Sequence, residues 1–520
     1  MASSVNRIIK NTGYLYLNMA LSMFVSLYST RIILNALGVS DFGIFTIIGG
    51  AIGILGFLNG SLSGAITRFI NYAEGAGKQS TLNIIFNTSV FIQIILSGVL
   101  IIGFTAAYHV FFNGLLNIEE SRQWVAKWIY VFMATSTIVT VQTMPYNAII
   151  NAHENMKVYS YIGMVFTLLK LAVALYIAHT SADKLIIYGL CMAFLTIVNT
   201  FVIRSYCHHK YPECALHFRK NIDFKLAKRM LSFASFNMLT TLTSMFAVYG
   251  SNIVVNNFFG TAINAAQGVA SQISGQLMVF SNNMLMAVKP VIGKKSGSQN
   301  FASMIRIAFS SSKLSFFILF FFACPFIIEA NWILNIWLKE VPEWAVTFCR
   351  LELLRRLLSQ LTDSLKECIQ AEGHIKSYSM QQSIFYVIHL PIVGILFYLG
   401  YSVIWLYIIN IITLNFIAGY NVVYYAKKNC HMNTSQYCKD VILRSFMACL
   451  PPILCGLLIH QLLPNSFFRT IAVSLVTSII TIASVRFIGL TTNEVNIFNE
   501  LTMTIKQRFF SFIFQRYAKQ

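Results

Sequence analysis

Long apolar runs separated by short polar segments cover most of the 520-residue chain. A helix needs roughly 20 apolar residues to cross the hydrocarbon core of a bilayer, and most of these runs reach that length. The pattern predicts fourteen membrane-spanning helices, near residues 12–36, 43–70, 83–111, 123–150, 158–179, 184–204, 230–257, 264–289, 309–337, 344–370, 381–400, 402–425, 441–462 and 468–489. The predicted fold class is therefore an all-α polytopic membrane protein.

The tenth predicted span departs from this pattern because it carries seven ionisable side chains: Arg350, Glu352, Arg355, Arg356, Asp363, Lys366 and Glu367. At roughly 100° per residue, all of them except Arg350 fall within about 120° of one helix face. A charge in a bilayer costs about 2.5–3.5 kcal/mol on insertion scales and normally faces a wet cavity or a partner. The stripe predicts a polar pathway through the membrane, and mutual pairing at i,i+3 and i,i+4 is the structural alternative.

Loops that are rich in lysine and arginine alternate along the chain with loops that contain few of these residues. The even-numbered connections and both termini are basic, most strongly at 204–229, whereas the intervening loops are short and contain few basic residues. Positive charge is retained on the cytoplasmic side of a membrane, so both termini are predicted to be cytoplasmic.

The two halves of the chain contain matching residues at nearly constant spacing. Ser29, Asn35, Gly38, Gly53 and Ala65 match Ser251, Asn257, Gly260, Gly275 and Ala287, all at one offset along the chain. Ile150, Ala152, Lys157, Tyr159 and Ser160 match Ile369, Ala371, Lys376, Tyr378 and Ser379 at a second, nearly equal offset. Because six spans separate the matching segments, the halves are predicted to be parallel repeats.

This repeat sets the predicted domain organisation. The predicted domains are an N-lobe of spans 1–6 at 1–206, a basic cytoplasmic linker at 207–229, a C-lobe of spans 7–12 at 230–427, spans 13 and 14 at 428–490, and an amphipathic cytoplasmic tail at 491–520. The linker contains histidine and cysteine, but Cys207 and Cys214 lack the regular ligand spacing of a zinc site, so no metal is predicted.

Composition supports a membrane protein and excludes several other classes. The chain is 56% hydrophobic and 11% charged, whereas soluble domains carry about 25% charged residues. Its net charge of +20 is scattered between apolar runs, which favours positive-inside loops over a nucleic-acid surface. The ten cysteines show no pairing pattern, and no nucleotide-binding motif is present.

Two short motifs resemble a known transporter family. The segment Leu37-Gly-Val-Ser-Asp-Phe-Gly43 and the segment Ala371-Glu-Gly-His-Ile-Lys376-Ser-Tyr378 resemble the polysaccharide-transport branch of the multidrug/oligosaccharidyl-lipid/polysaccharide (MOP) exporter superfamily. The resemblance implies a flippase of the bacterial inner membrane that moves a polyprenyl-pyrophosphate-linked oligosaccharide from the cytoplasmic to the periplasmic leaflet by alternating access. It also implies a role in O-antigen or capsule assembly, with membrane lipids and downstream assembly proteins as partners.

A pyrophosphate substrate requires several fixed cations, and arginine offers forked donors matched to phosphate oxygens. The candidate substrate-binding cations in or at the ends of spans are Arg31, Arg68, Lys170, Lys289, Arg355, Arg356 and Lys366. Lys170 lies in mid-span and is expected to be either functional or buried in an ion pair. Glu352, Asp363 and Glu367 are the candidates for coupling transport to H⁺ or Na⁺, and no other cofactor is predicted.

Two further functions stay open at this point. A drug or metabolite exporter of the same superfamily would share this architecture, although drug extruders resemble one another in placing acidic groups in core spans. Here spans 1, 2, 7 and 8 contain no Asp or Glu. A membrane glycan polymerase or ligase is a weaker alternative because the outer loops are short, and the chain is not predicted to be an enzyme.

Overall fold

The computed structural model describes residues 2–54, 57–112, 120–217, 221–338, 341–492 and 494–496. Within these ranges every regular element is helical, which confirms the predicted all-α class. The predicted tail lies outside the described residues from 497 onward.

The first half of the chain forms seven long or kinked helices. In order they are α1 (Ala2–Ile54), α2 (Phe57–Gly75), α3 (Gln79–Val110), α4 (Glu120–Gln142), α5 (Met144–Ala152), α6 (Met156–His179) and α7 (Lys184–Lys210). A short 3₁₀ turn at Pro212–Cys214 follows α7 within the predicted linker.

The second half begins with a helix of 74 residues, α8 (Phe224–Gly297). It is followed by α9 (Phe301–Trp337), α10 (Ala345–Glu372), α11 (Lys376–Tyr398), α12 (Ile404–Asn410), α13 (Ala418–Cys430), α14 (Thr434–Tyr437), α15 (Arg444–Leu462) and α16 (Phe467–Ser484). Short π-helical segments continue α12, α14 and α16.

In the described residues, eleven helices are long and apolar enough to cross a membrane. The helices at predicted spans 2, 8 and 10 are not among them. Span 10 carries seven charged side chains and span 8 is rich in Ser, Gln and Asn, while the described part of span 2 is interrupted at residues 55 and 56. Polar content therefore separates α10 and the second part of α8 from the other predicted spans.

The contacts divide the chain into two compact units. The described residues of Asn11–Leu242 and Gly293–Gln299 form the amino-terminal unit, and those of Met1–Lys10, Thr243–Ile292 and Asn300–Gln520 form the carboxy-terminal unit. Each unit has its own apolar core, built from one face of several helices. Ile48 and Ile129 are fully buried in the first, and Phe348 and Leu406 in the second.

The backbone carries the repeat that the sequence predicts. Gly38 interrupts α1 with φ 78° and ψ 169°, and Gly260 interrupts α8 with φ 81° and ψ −177°. These two glycines are one of the matched pairs of the repeat. A loop was expected between spans 1 and 2. Instead, the helix is interrupted at Gly38 alone, which adopts a conformation accessible mainly to glycine.

Two further pairs of left-handed residues obey the offsets of the repeat. Gly77 (φ 69°) and Gln299 (φ 57°) lie at the same offset as Gly38 and Gly260, and Glu154 (φ 55°) and Gly373 (φ 107°) lie at the second offset. Each follows the end of a helix. The corresponding turns of the two halves therefore share a positive φ, although the residues at these positions are of different types.

Candidate functional site

Six charged side chains of α10 and Lys289 of α8 form a set of ion pairs in the carboxy-terminal unit. We call this set the α10 charge cluster: Lys289, Glu352, Arg355, Arg356, Asp363, Lys366 and Glu367. It contains all seven of the predicted site residues that belong to this unit.

At one end of the cluster, two guanidinium groups share one carboxylate. Arg355 donates from Nε to Oε2 of Glu352 at 2.8 Å and from Nη2 to Oε1 at 2.6 Å, a forked pair. Arg356 donates from Nε to the same Oε1 at 2.8 Å. The Glu352 side chain is 8% exposed and that of Arg355 is 13%, whereas that of Arg356 is 32% exposed. Arg356 is thus the accessible member of this triad.

The other end of the cluster contains two simpler pairs. Lys366 Nζ lies 2.7 Å from Oδ1 of Asp363, and Gln360 donates to Oδ2 of the same carboxylate at 3.1 Å. Lys289 Nζ lies 2.8 Å from Oε1 of Glu367, and its side chain is 43% exposed. This last pair joins α8 to α10 within the unit.

The pairing changes the electrostatics that the sequence suggested. Four basic and three acidic side chains leave the cluster with a net charge of +1. Pairing offsets much of the several kcal/mol that removing each ion from water costs. The structural alternative of mutual pairing is therefore realised, and the excess positive charge lies at the Arg355–Arg356 end.

The three remaining predicted cations belong to the amino-terminal unit. The Arg68 guanidinium carbon lies 4.8 Å from the Phe69 ring centre and 5.0 Å from that of Phe233, a cation–π arrangement. Arg31 on α1 and Lys170 on α6 are exposed. Lys170 has no ion partner among the described residues, which excludes the buried ion pair and leaves the functional role of this side chain as the prediction.

One buried ionic group was missed by the sequence analysis. Glu329 of α9 has a fully buried side chain, accepts from Arg469 of α16 at 2.8 Å and lies 2.7 Å from Nδ1 of His460 of α15. The sequence contains a signal for this group, because Glu329 is a lone acidic residue inside an apolar run and such residues normally have a specific partner. This group joins the last two helices to α9.

A second missed group lies in the amino-terminal unit, on the side that loop charge predicts to be cytoplasmic. Lys294 Nζ lies 2.8 Å from Glu154 and 3.1 Å from Glu74. His153 pairs with Glu213 and stacks on the Tyr211 ring with centres 4.4 Å apart. The hydrogen bond with His153 holds the pKa of Glu213 below its usual value although burial opposes this. Glu74, His153, Tyr211 and Glu213 border a polar cavity of about 650 Å³.

The linker residues suspected of metal binding do not assemble a site. Among the described residues, no group of three or more His, Cys, Asp and Glu is placed to hold a metal ion. Cys207 and Cys214 are both fully buried, and the Cys207 thiol contacts the Tyr146 carbonyl at 3.7 Å.

Several solved structures that resemble this chain are those of transporters. The chain is similar to a mutant of a MATE transporter, with a TM-score of 0.71 and 14% identity over 82% of this chain and 96% of that one. It is similar to an outward-facing multidrug resistance MATE transporter of the MOP superfamily, with a TM-score of 0.69 and 16% identity over 82% and 95%. It also matches a MOP superfamily transporter from Pyrococcus furiosus, with a TM-score of 0.68 and 14% identity over 83% and 96%.

These likenesses show the fold alone. Transporters of the MATE fold have 12–14 transmembrane helices in two lobes, in agreement with the predicted architecture. The chain is thus a multi-pass membrane protein with a transporter fold, and its structural neighbours are not enzymes. No family model and no curated protein matches the sequence.

Proposed function

We propose that this protein is a flippase that moves a polyprenyl-pyrophosphate-linked oligosaccharide from the cytoplasmic to the periplasmic leaflet of the bacterial inner membrane. The α10 charge cluster carries the proposal. Two arginines that share a single carboxylate leave one positive charge in excess, and the more exposed guanidinium, that of Arg356, offers its Nη groups to a ligand. Arginine binds phosphate oxygens through such paired donors.

Charge elsewhere in the core spans also favours an anionic substrate. Spans 1, 2, 7 and 8 contain no acidic residue, but they contain Arg31, Arg68 and Lys289. The Lys289 ammonium group is paired with one carboxylate and its side chain remains 43% exposed. For the Pyrococcus furiosus transporter, the reverse polarity of the binding pocket suggests a different function. The charge of the pocket is therefore a physical property by which transporters of one fold can differ in their substrates.

In the proposed mechanism the pyrophosphate binds Arg356 and Lys289 while Glu352 and Glu367 hold these cations in position. The glycan crosses through a polar pathway and the polyprenyl chain stays in lipid. Since the carboxylates are paired with cations, we propose that uptake of H⁺ or Na⁺ by Glu352, Asp363 or Glu367 competes with this pairing. Dependence of flipping on a proton or sodium gradient in vesicles measures that coupling.

The test is export of surface glycan by variants expressed at equal abundance. We expect Arg356→Gln and Lys289→Gln each to lower the flipping rate about tenfold, the effect of losing one charge-assisted hydrogen bond. Arg356→Lys is expected to recover only part of the loss because lysine keeps the charge without the fork. Lys427→Gln, which changes an exposed lysine at the end of α13, is the matched control.

Undiminished glycan export by both neutral variants would exclude the cluster as the pyrophosphate site. The second candidate, export of a drug or metabolite, is favoured by the multidrug neighbour and predicts a different result. In that case expression confers resistance to cytotoxic cations and leaves glycan display unchanged.

A further inference from the structure

An apolar groove of about 500 Å³ lies among α9, α10 and α15, on the side of α10 opposite the charge cluster. Its walls are aromatic and aliphatic side chains: Phe316, Phe320, Leu351, Leu354, Leu358 and Phe446. Leu354, Phe446 and Leu457 are 42–46% exposed, so the groove is open at these positions rather than sealed within the unit. In a helix bundle embedded in a bilayer, such a surface contacts lipid.

The polar side chains of the groove lie at one end. Arg350 is in the second turn of α10, and His460 is in the last turn of α15. Both helix ends are on the side predicted to face the periplasm. Phe446 to His460 spans fourteen residues of helix, or about 21 Å at 1.5 Å per residue. One leaflet of the hydrocarbon core is about 15 Å thick, so the groove is long enough to hold a single lipid chain.

The polar end has unused hydrogen-bond donors. Arg350 donates from Nε to the Ile327 carbonyl at 2.9 Å and from Nη2 to that of Ile328 at 3.5 Å, which leaves Nη1 without a partner among the described residues. His460 uses Nδ1 for Glu329 and keeps Nε2. Glu329 is fully buried and its charge is balanced by Arg469, so the groove itself presents positive charge.

We propose that this groove binds one acyl chain of an anionic glycerophospholipid of the periplasmic-side leaflet, with the lipid phosphate held by Arg350 and His460. An apolar groove long enough for one acyl chain, with cationic donors at its end, matches the two parts of such a lipid. A neutral transmembrane helix from another protein would leave the Arg350 donors unused. This proposal is independent of the substrate that the transporter moves.

The experiment measures lipids retained by the full-length protein after reconstitution with equal amounts of phosphatidylglycerol and phosphatidylcholine and transfer to mild detergent, using native mass spectrometry. We expect the wild type to retain phosphatidylglycerol preferentially. Arg350→Gln removes the phosphate donor, and Leu354→Trp fills the groove at an exposed position. Arg350→Gln is expected to lower retained phosphatidylglycerol about tenfold, as expected for loss of one charge-assisted contact. Leu354→Trp is expected to lower it as well, because the indole occupies the space of the acyl chain.

Lys427→Gln is the control and is expected to retain the wild-type amount, since this lysine lies on the side predicted to be cytoplasmic, away from the cationic end of the groove. Equal retention of the two lipids by the wild type, or undiminished retention in Arg350→Gln and Leu354→Trp, would overturn the proposal. A second reconstitution adds polyprenyl phosphate to the two lipids, and its displacement of phosphatidylglycerol would assign the groove to a substrate tail instead. Leu354→Trp keeps Arg350, so a fold defect in one variant leaves the other informative.

Discussion

At the scale of single residues, the protein places charges inside a membrane-spanning unit by sharing counter-ions. Glu352 accepts from two arginines, and Glu329 accepts from Arg469 and pairs with His460. Each carboxylate is nearly or fully buried, while at least one of its partners is part-exposed. Such an arrangement keeps a part-exposed donor available without leaving an ion alone in an apolar medium.

Glu352→Gln tests this sharing. The substitution keeps the shape but leaves Arg355 and Arg356 without their carboxylate, so we expect a loss of stability of about 3 kcal/mol. Thermal unfolding of the purified protein in detergent measures it. The double variant Glu352→Gln/Arg356→Gln removes one of the two unpaired cations and should regain part of the loss. A single variant as stable as the wild type would show that the pairing contributes nothing.

The Glu213 carboxylate gives a pH prediction. Its hydrogen bond with His153 lowers the pKa in the folded protein, so the stabilisation is complete above the ordinary value of 4.5 and is lost as the pH falls through the folded pKa. We expect the wild-type melting temperature to fall between about pH 5 and pH 3 by more than that of Glu213→Gln. Glu120→Gln, at an exposed position, should behave like the wild type. Identical pH profiles for all three proteins would contradict this role.

At the scale of helices, close packing at the amino-terminal unit's predicted cytoplasmic side depends on glycines. A Cβ at Gly297 would lie 2.0 Å from the Tyr72 carbonyl oxygen, and one at Gly75 would lie 2.0 Å from that of Lys294. Since these contacts involve backbone atoms, no side-chain rotation relieves them. The ends of α2 and α8 therefore meet at a distance that only glycine permits.

Gly297→Ala is expected to destabilise the protein by about 2 kcal/mol, because the two helix ends must separate to admit the methyl group. Gly98→Ala in α3, where nothing lies within 4 Å, is the control and is expected to be neutral or to stabilise by about 0.5–1 kcal/mol. Melting temperatures of the two variants provide the comparison. If both change stability equally, the contact of the helix ends is not tight.

At the scale of the whole molecule, the two halves of the repeat share backbone dihedral angles at equivalent positions. Gly38 and Gly260 interrupt their helices with nearly the same dihedral angles, although most of the residues around them differ. Equivalent breaks in the two halves give each half a long helix that changes direction at one point. The repeat is therefore visible in the backbone conformation as well as in the matching residues of the sequence.

Gly38→Ala and Gly260→Ala are expected to destabilise the protein by similar amounts, about 1–3 kcal/mol each, because both glycines adopt a region that alanine avoids. Gly268→Ala in the same helix α8, with normal helical geometry and nothing within 4 Å, is the control. Denaturation in detergent measures all three. A large effect at one break and none at the other would mean that the halves do not use their kinks equivalently.

The sequence by itself determined the all-α membrane class, the repeat and the position of the unusual charges on α10. These follow from local regularities: run length, helical periodicity and fixed offsets such as that between Gly38 and Gly260. These regularities can be recognised without knowing which helices are in contact. The one-sided placement of Glu352, Asp363 and Lys366 was readable for the same reason.

Only the tertiary structure decided which charges pair between different helices, because this pairing depends on side-chain contacts between residues that are distant in sequence. Lys289 meets Glu367 on another helix, and Glu329 meets Arg469, and no periodicity encodes such separations. Exposure was likewise undetermined, since Lys170 in mid-span is exposed and Lys313 in a similar run is buried. Packing between helices, and not the order of residues along one helix, sets these environments.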